Sequence, residues 1–275
     1  ASFLGEKEMI TSMSNPQIKK VHQLLKKAKT RREERVFVAE GIKMFREAPA
    51  DRLCKVYASE SFAGKTEFED ILREKSLNPD SDKVEIVDDK VFKSLSDTVT
   101  PQGVLCLISM GNRGLQDIIG GRECPLLMIL EDLQDPGNLG TIIRTGEGAG
   151  VTGVILSRTS VDVFNPKVIR STMGSIYRVP VIYVDSIEEE VLPMLKTHGI
   201  TTYAAHLKGE NNYDKEDYSK GTAFFIGNEG NGLTDELTAC ADTLIKIPMA
   251  GQVESLNAAM ASGILMYEAA RQRRN

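Results

Sequence analysis

From Pro125 onward the chain alternates short apolar runs with longer segments of helical spacing, and this alternation limits the folds open to it. The run at 125–133 (PLLMILEDL) is apolar on both sides of the pleat, as a buried strand requires. A helix is expected over 138–148, then a strand at 153–157, a helix at 166–173, a strand at 180–184, a helix at 187–197 and a strand at 200–205. TAFFIG (222–227), TLIKIP (243–248) and a long helix from about 255 complete the series. Strands separated by helices favour a mostly parallel sheet with helices on both faces.

The first hundred residues repeat the alternation on a smaller scale. Asn15 and Pro16 suit the cap and first turn of a helix running to about Lys29. Strands are expected at 36–41, 55–59, 83–87 and 103–108, with helices near 41–48, 66–76 and 88–96. The Gly-rich, polar stretch 109–125 reads as a linker in which LQDII can form a helical turn. The fold class is therefore α/β, in two parts: a smaller domain over 1–108, a linker over 109–124 and a larger domain over 125–275.

Composition excludes several classes. No apolar stretch approaches the ~20 residues that cross a bilayer, and the N-terminal residues lack the layout of a secretory signal. The four cysteines (Cys54, Cys106, Cys124 and Cys240) are scattered, with no C-x-x-C. They suggest neither a zinc site nor a disulfide framework, and a cytoplasmic setting is expected. The net charge of −5 is mildly unfavourable to a nucleic-acid partner, but its distribution matters more. Residues 17–35 carry eight Lys and Arg against two Glu, a local balance of +6. Such a run is ordinarily a solvated helix face. As a phosphate-contacting patch it would act through Lys26, Lys27, Arg31 and Arg32, whose neutralisation would weaken nucleic-acid binding and flatten its salt dependence.

Residues 148–153 spell Gly-Ala-Gly-Val-Thr-Gly, the G-x-G-x-x-G string of dinucleotide sites. In those sites the glycines follow a strand and open a helix. Here they close a helix and lead into a strand, so they are read as a helix C-cap, and a nicotinamide-dependent enzyme is set aside.

Three other segments carry chemistry. In LEDLQDPGNLGTIIRTGEGAG (130–150), a buried strand ends in an Asp-Pro-Gly turn that presents Asn138 and, nearly two helical turns on, Arg144. In FFIGNEGNGL (224–233), a strand runs into three glycines within six residues, around Glu229. Such a loop can approach a ligand with its backbone. In IKIPMAGQVESLNAAMASGILMYEA (245–269), a strand leaves through Pro248 and a helix begins near Ser255, with Asn257 beside it. Leu256, Ala259, Met260, Gly263, Ile264 and Tyr267 recur at helical spacing and suggest its buried face. Each segment has a plain reading: a capped turn, a tight connection and a capped terminal helix.

Taken together and in this order, the three segments resemble the three motifs of the SpoU (TrmH) family of RNA ribose 2′-O-methyltransferases, in the SPOUT superfamily. The resemblance covers about 126–272 and rests on Asn138 and Arg144, on Gly227-Asn228-Glu229-Gly230, and on Ile247-Pro248-Met249 with Ser255-Leu256-Asn257. The opening SNPQIKKVHQLLKKAKTRREERVFVAEGIKMF is similar to the ribosomal-protein-like substrate-binding domain that many members carry.

The resemblance implies a parallel sheet with a deep trefoil knot, S-adenosylmethionine as methyl donor, and a homodimer whose site draws on both chains. It implies no metal and no membrane. The cofactor would touch Gly227, Asn228, Gly232, Ile247, Met249 and Leu256, with the strand end Ala204, Ala205 and His206 nearby. The catalytic set would be Asn138, Arg144, Glu229, Ser255 and Asn257. In the family the Arg is assigned to activating the hydroxyl. Arg stays protonated at ordinary pH, so a partnership with the RNA phosphate is the better chemical fit. Glu229 would orient Arg144 or an adjacent Asn, and Ser255 and Asn257 would hold the nucleotide or the Arg. The expected substrate is 23S ribosomal RNA, with transfer RNA as the alternative. A non-catalytic RNA-binding protein of the same fold is the competing reading.

Overall fold

The computed structural model describes residues 8–96 and 98–274. It divides into two compact units. One comprises residues up to Gly111 together with Phe164–Tyr177, and the other Asn112–Val163 together with Arg178 onward.

The first unit is built on a four-stranded sheet of β1 (Val36–Glu40), β2 (Leu53–Ser59), β3 (Val84–Val87) and β4 (Val104–Ser109) in the order β1-β4-β2-β3. β4 runs antiparallel to both β1 and β2, and β3 is parallel to β2. Asn15 caps the first helix by accepting from the Gln17 amide at 2.8 Å, and Ile18, Val21 and Leu24 bury its inner face. This helix ends at Lys26, earlier than the charge-rich sequence suggests, because Lys27 is extended and a second helix, Ala28–Glu34, starts after it.

Arg31 explains the break. Its guanidinium turns back and donates to the carbonyls of Leu24 (2.6 Å) and Leu25 (3.2 Å), which the helix end leaves without partners. The residue is only 3% exposed. The expectation that Arg31 belongs to an RNA-facing surface is therefore corrected: its charge is spent inside the fold. Lys26, Lys27 and Arg32 are exposed.

The helix Pro166–Thr172, expected with the larger domain, groups with this first unit. Phe164 stacks on Phe37 of β1 with ring centroids 4.9 Å apart, and the Tyr177 hydroxyl donates to the Met44 carbonyl at 2.9 Å.

The second unit holds seven strands, all parallel among the described residues. They are β5 (Leu126–Leu130), β6 (Gly153–Ser157), β7 (Val181–Val184), β8 (Thr201–Ala205), β9 (Asn211–Asn212), β10 (Thr222–Ile226) and β11 (Thr243–Lys246). Their order is β7-β6-β5-β10-β8-β11-β9. β5 and β10 lie side by side at the centre and every residue of both is buried, which is why their sequences are apolar without alternation.

Leu127, Ile129, Ala223 and Phe225 face a core shared with Ile187, Val191, Leu195 and Leu237. The helices Pro136–Ala149 and Ala258–Arg273 pack against each other, and the latter also packs against β10. Gly150 closes the former in the left-handed region (φ +84°), as the rejected glycine string requires.

Two expectations for the last helix are corrected. It begins at Ala258, not near Ser255, because Asn257 is its cap, accepting from the amides of Ala259 (2.9 Å) and Met260 (3.2 Å). Its buried residues are Ala258, Ala259, Ser262, Leu265, Met266 and Ala269, while Met260 and Tyr267 are exposed at 62% and 48%. This helix is apolar almost all round, so spacing alone could not choose the face. No helix among the described residues is long and apolar enough to cross a membrane.

Candidate active site

The carboxyl ends of β8, β10 and β11 open onto one cavity of about 650 Å³, the place where open parallel sheets hold ligands. Three stretches form its walls: Ala205–Leu207 after β8, the loop Gly227–Leu233 after β10, and Lys246–Met249 after β11. The segment Glu254–Leu256 and the first turn of the last helix close it. Leu207, Ile247, Met249 and Leu256 supply apolar surface, and the glycine loop supplies backbone. Such a mixture suits an amphipathic ligand.

A second, more open cavity of about 610 Å³ adjoins the first. It is lined by Gln134, Asp135, Pro136, Asn138 and Asn257, and it shares Glu229, Ser255, Leu256 and Ala258 with its neighbour.

Glu229 organises the boundary. Its carboxylate accepts from the backbone N–H groups of Asp135 (2.8 Å) and Gln134 (3.0 Å) and from the Asn138 side chain (3.2 Å). Asn138 in turn accepts from the Asn257 side chain at 2.9 Å. Three of the five expected catalytic residues thus form one chain, although 119 positions separate Asn138 from Asn257. Partial burial works to raise the Glu229 pKa, but the hydrogen bonds from Asp135, Gln134 and Asn138 outweigh it and hold the carboxyl below its ordinary value of 4.5.

A depressed folded pKa means that the stability Glu229 contributes is present above the ordinary carboxylate value and is lost as pH falls through the folded one. The stability difference between wild type and Glu229→Gln is therefore expected to stay constant between about pH 6 and 8 and to shrink in acid. Denaturant unfolding across that range measures it.

Of the expected cofactor residues, Ala205, Gly227, Asn228, Gly232, Ile247, Met249 and Leu256 line the larger cavity. Ala204 does not. It is fully buried within β8, opposite Phe225 and Leu244, one residue too early to reach the opening. The Asn228 side chain is committed elsewhere: its amide donates to the Asp132 carbonyl at 2.8 Å, and its Oδ1 accepts from the amides of Gly230 and Asn231 at 2.9 and 3.0 Å. It shapes the loop, leaving the backbone as what Asn228 offers a ligand.

Ser255 is exposed at the meeting of the two cavities. His206 lines the larger one and accepts at Nδ1 from the Lys208 amide, 3.1 Å away.

Arg144 lies apart. It is exposed on the helix Pro136–Ala149, lines neither cavity and makes no hydrogen bond or ion pair among the described residues. Of the two partners expected for Glu229, Arg144 or an Asn, it is the Asn that it holds, as Asn138. Sequence reasoning also passed over Glu131, Asp132 and Thr234, which tie the loop after β10 to the end of β5. The Thr-Asp-Glu run at 234–236 is a helix-start signal that could have revealed the helix Asp235–Cys240.

Known proteins resemble this chain in sequence and in fold. The model of the SpoU rRNA methylase family matches residues 125–267, and that of the MRM3-like substrate binding domain matches residues 15–106. The chain is 32% identical to an uncharacterized tRNA/rRNA methyltransferase of Synechocystis sp., over 96% of its own length and 93% of the relative's. It is 33% identical to the 23S rRNA (guanosine(2553)-2′-O)-methyltransferase RlmP of Bacillus subtilis, over 66% of this chain and 70% of that one. An AdoMet-bound rRNA methyltransferase from Sinorhizobium meliloti aligns with a TM-score of 0.83 at 32% identity, covering 97% of this chain and 98% of that structure. With the motif residues other than Arg144 gathered at the ends of a parallel sheet, and with the family model matching more than half of its length, the chain belongs to the SpoU rRNA methylase family.

Proposed function

We propose that this chain transfers a methyl group from S-adenosylmethionine to a ribose 2′-hydroxyl of ribosomal RNA. The observation that carries the reading is the pair of adjoining cavities with a common wall of Glu229, Ser255, Leu256 and Ala258. One has the apolar and backbone surface for a nucleoside-containing cofactor, and the other adds the polar side chains of Gln134, Asp135, Asn138 and Asn257 and is open to a larger molecule. The names of the relatives support ribosomal RNA; transfer RNA remains the second substrate, because one relative's name carries both.

The cofactor supplies a sulfonium-bound methyl group. The chain's residues hold the acceptor in line with it, and alignment accounts for much of the rate. Glu229 fixes Asn138, which in turn holds Asn257, and the two Asn form a rigid wall for the ribose, with the exposed Ser255 hydroxyl free to hydrogen-bond the nucleotide. Glu229 is ionised at neutral pH and fully occupied by donors, so its part is to hold Asn138 and the 134–135 backbone in place. The Arg144 guanidinium pairs with the RNA phosphate and stabilises charge on the attacking oxygen.

The position of Arg144 supports a homodimer in which it serves the partner's cavities. The exposed apolar Met260 and Tyr267, on the helix packed against the one bearing Arg144, support the same assembly. We also propose the knotted threading of the last fifty residues. The insertion of β10 between β5 and β8, before β11 is added beyond β8, supports it. The first unit would grip the RNA, and the second, whose core includes Ile118 and Ile119 from the stretch expected as a linker, would carry the chemistry in the cytoplasm.

Calorimetry with S-adenosylmethionine tests the cofactor assignment: saturable binding is expected, and its absence with or without RNA would favour a non-catalytic RNA-binding protein. For the RNA surface, neutralising Lys26, Lys27 and Arg32 together is expected to lower the slope of log affinity against log salt by about 2, at roughly 0.7 per cation. Arg31→Ala is expected to cost about 2–3 kcal/mol of stability instead, through loss of charged hydrogen bonds to Leu24 and Leu25. Salt-titrated RNA binding and denaturant unfolding separate the two effects.

A further inference from the structure

Two acidic residues that border neither cavity hold the glycine-rich loop in shape. β5 ends at Leu130, and the next two residues, Glu131 and Asp132, both reach the loop after β10. Glu131 grips Thr234 twice: one carboxylate oxygen accepts from the Thr234 amide and the other from its hydroxyl, each at 2.8 Å. The same hydroxyl accepts from the Leu237 amide at 3.2 Å and so caps the helix that follows. This fixes the loop's exit.

Asp132 fixes its entry. The Asp132 carbonyl accepts from the Asn228 side chain, which folds the loop around its own Oδ1. Asp132 itself sits at φ +52°, a region that side-chain-bearing residues seldom occupy. It is kept there by its N–H bond to Ser157 (2.8 Å) and by Gln134 on its carboxylate (2.7 Å).

Between these ties run five residues that line the larger cavity, Glu229 to Leu233, two of them glycines. Untethered glycines have many accessible conformations. The apparent affinity of a ligand falls with the fraction of the protein that holds the competent shape.

We propose that Glu131 and Asp132 are positioning residues for cofactor binding, with the Glu131–Thr234 pair as the principal tie on the 227–233 loop. The inference rests on the reading that the larger cavity takes S-adenosylmethionine.

The test uses the full chain with Glu131→Gln, Thr234→Val, the double variant and Thr234→Ser. S-adenosylmethionine affinity is read by calorimetry, and loop order by hydrogen exchange at the amides of 228–233. Each of the first two variants is expected to bind the cofactor about tenfold more weakly and to exchange faster within the loop. The amides of β5 and β10 and the KM for RNA should be unchanged. The double variant should be no weaker than the weaker single, because both remove one tie, and Thr234→Ser should match wild type.

Wild-type binding together with undiminished affinity in both singles would overturn this proposal alone, as would losses that multiply in the double variant. Loosening spread through β5 and β10 would also overturn it, since the residues would then be merely structural. A wild-type chain that binds no cofactor would overturn the functional reading and this inference with it.

Discussion

Arg144→Ala is expected to lower kcat for methyl transfer by about 10²–10³-fold while leaving S-adenosylmethionine affinity unchanged. Cofactor binding should survive because Arg144 lines neither cavity. Catalysis should not, because an exposed guanidinium without a partner among the described residues is available to an RNA phosphate and to the oxygen that attacks the methyl group. Geometry adds a condition. Arg144 follows Asn138 by six helical residues, a rise of about 9 Å and a rotation of roughly 240°. It therefore points away from the wall that Asn138 and Asn257 form in the same chain.

If Arg144 serves a partner's site, mixing Arg144→Ala protomers with an inactive Ser255/Asn257 double variant should restore activity, because a mixed dimer contains one complete site. No recovery on mixing would place Arg144 in its own chain's site. Loss of cofactor binding in Arg144→Ala would contradict the assignment to RNA.

Gly227→Ala is expected to abolish cofactor binding and to cost at least about 3 kcal/mol of stability in the second unit. A Cβ at Gly227 would overlap the carbonyl carbon of Gly232 and the amide nitrogen of Leu233. Both are backbone atoms of the same loop, and neither can rotate aside as a side-chain tip can. The loop is also fixed at its ends, by Asn228 to Asp132 and by Thr234 to Glu131, so relief would break one of those ties.

Gly251→Ala is the matched control, since nothing lies within 4 Å of the added carbon there. Thermal unfolding and calorimetry on the two variants should differ sharply. Equal behaviour would mean that the loop after β10 is more adaptable than its packing indicates.

The sheet was legible in the sequence because a parallel strand buried on both faces must be a short apolar run, as LLMIL and TAFFI are. The site's location followed from glycines and polar residues at the ends of those runs. What local pattern could not reveal was which residues cross-link over distance. Glu229 meets Gln134 across 95 positions and Glu131 meets Thr234 across 103, and neither pair shares a helix or a strand.

The same limit misplaced Arg31. A cation within a basic run looks solvated unless the carbonyls it will cap are known. The last helix misled for a different reason. Its apolar residues encircle it, so its 3.6-residue period carries little information, and the exposed Met260 and Tyr267 became visible only in the folded chain.

The central claim is the transfer of a methyl group to a ribose 2′-oxygen of ribosomal RNA. The most direct test incubates the wild-type chain with unmodified ribosomal RNA and isotopically labelled S-adenosylmethionine, digests the RNA to nucleosides and identifies the labelled product by mass spectrometry. The account predicts label in a single 2′-O-methylnucleoside, formed about 10²–10³-fold more slowly by Arg144→Ala. Label on a base, or none in any RNA from a protein that binds the cofactor, would contradict it.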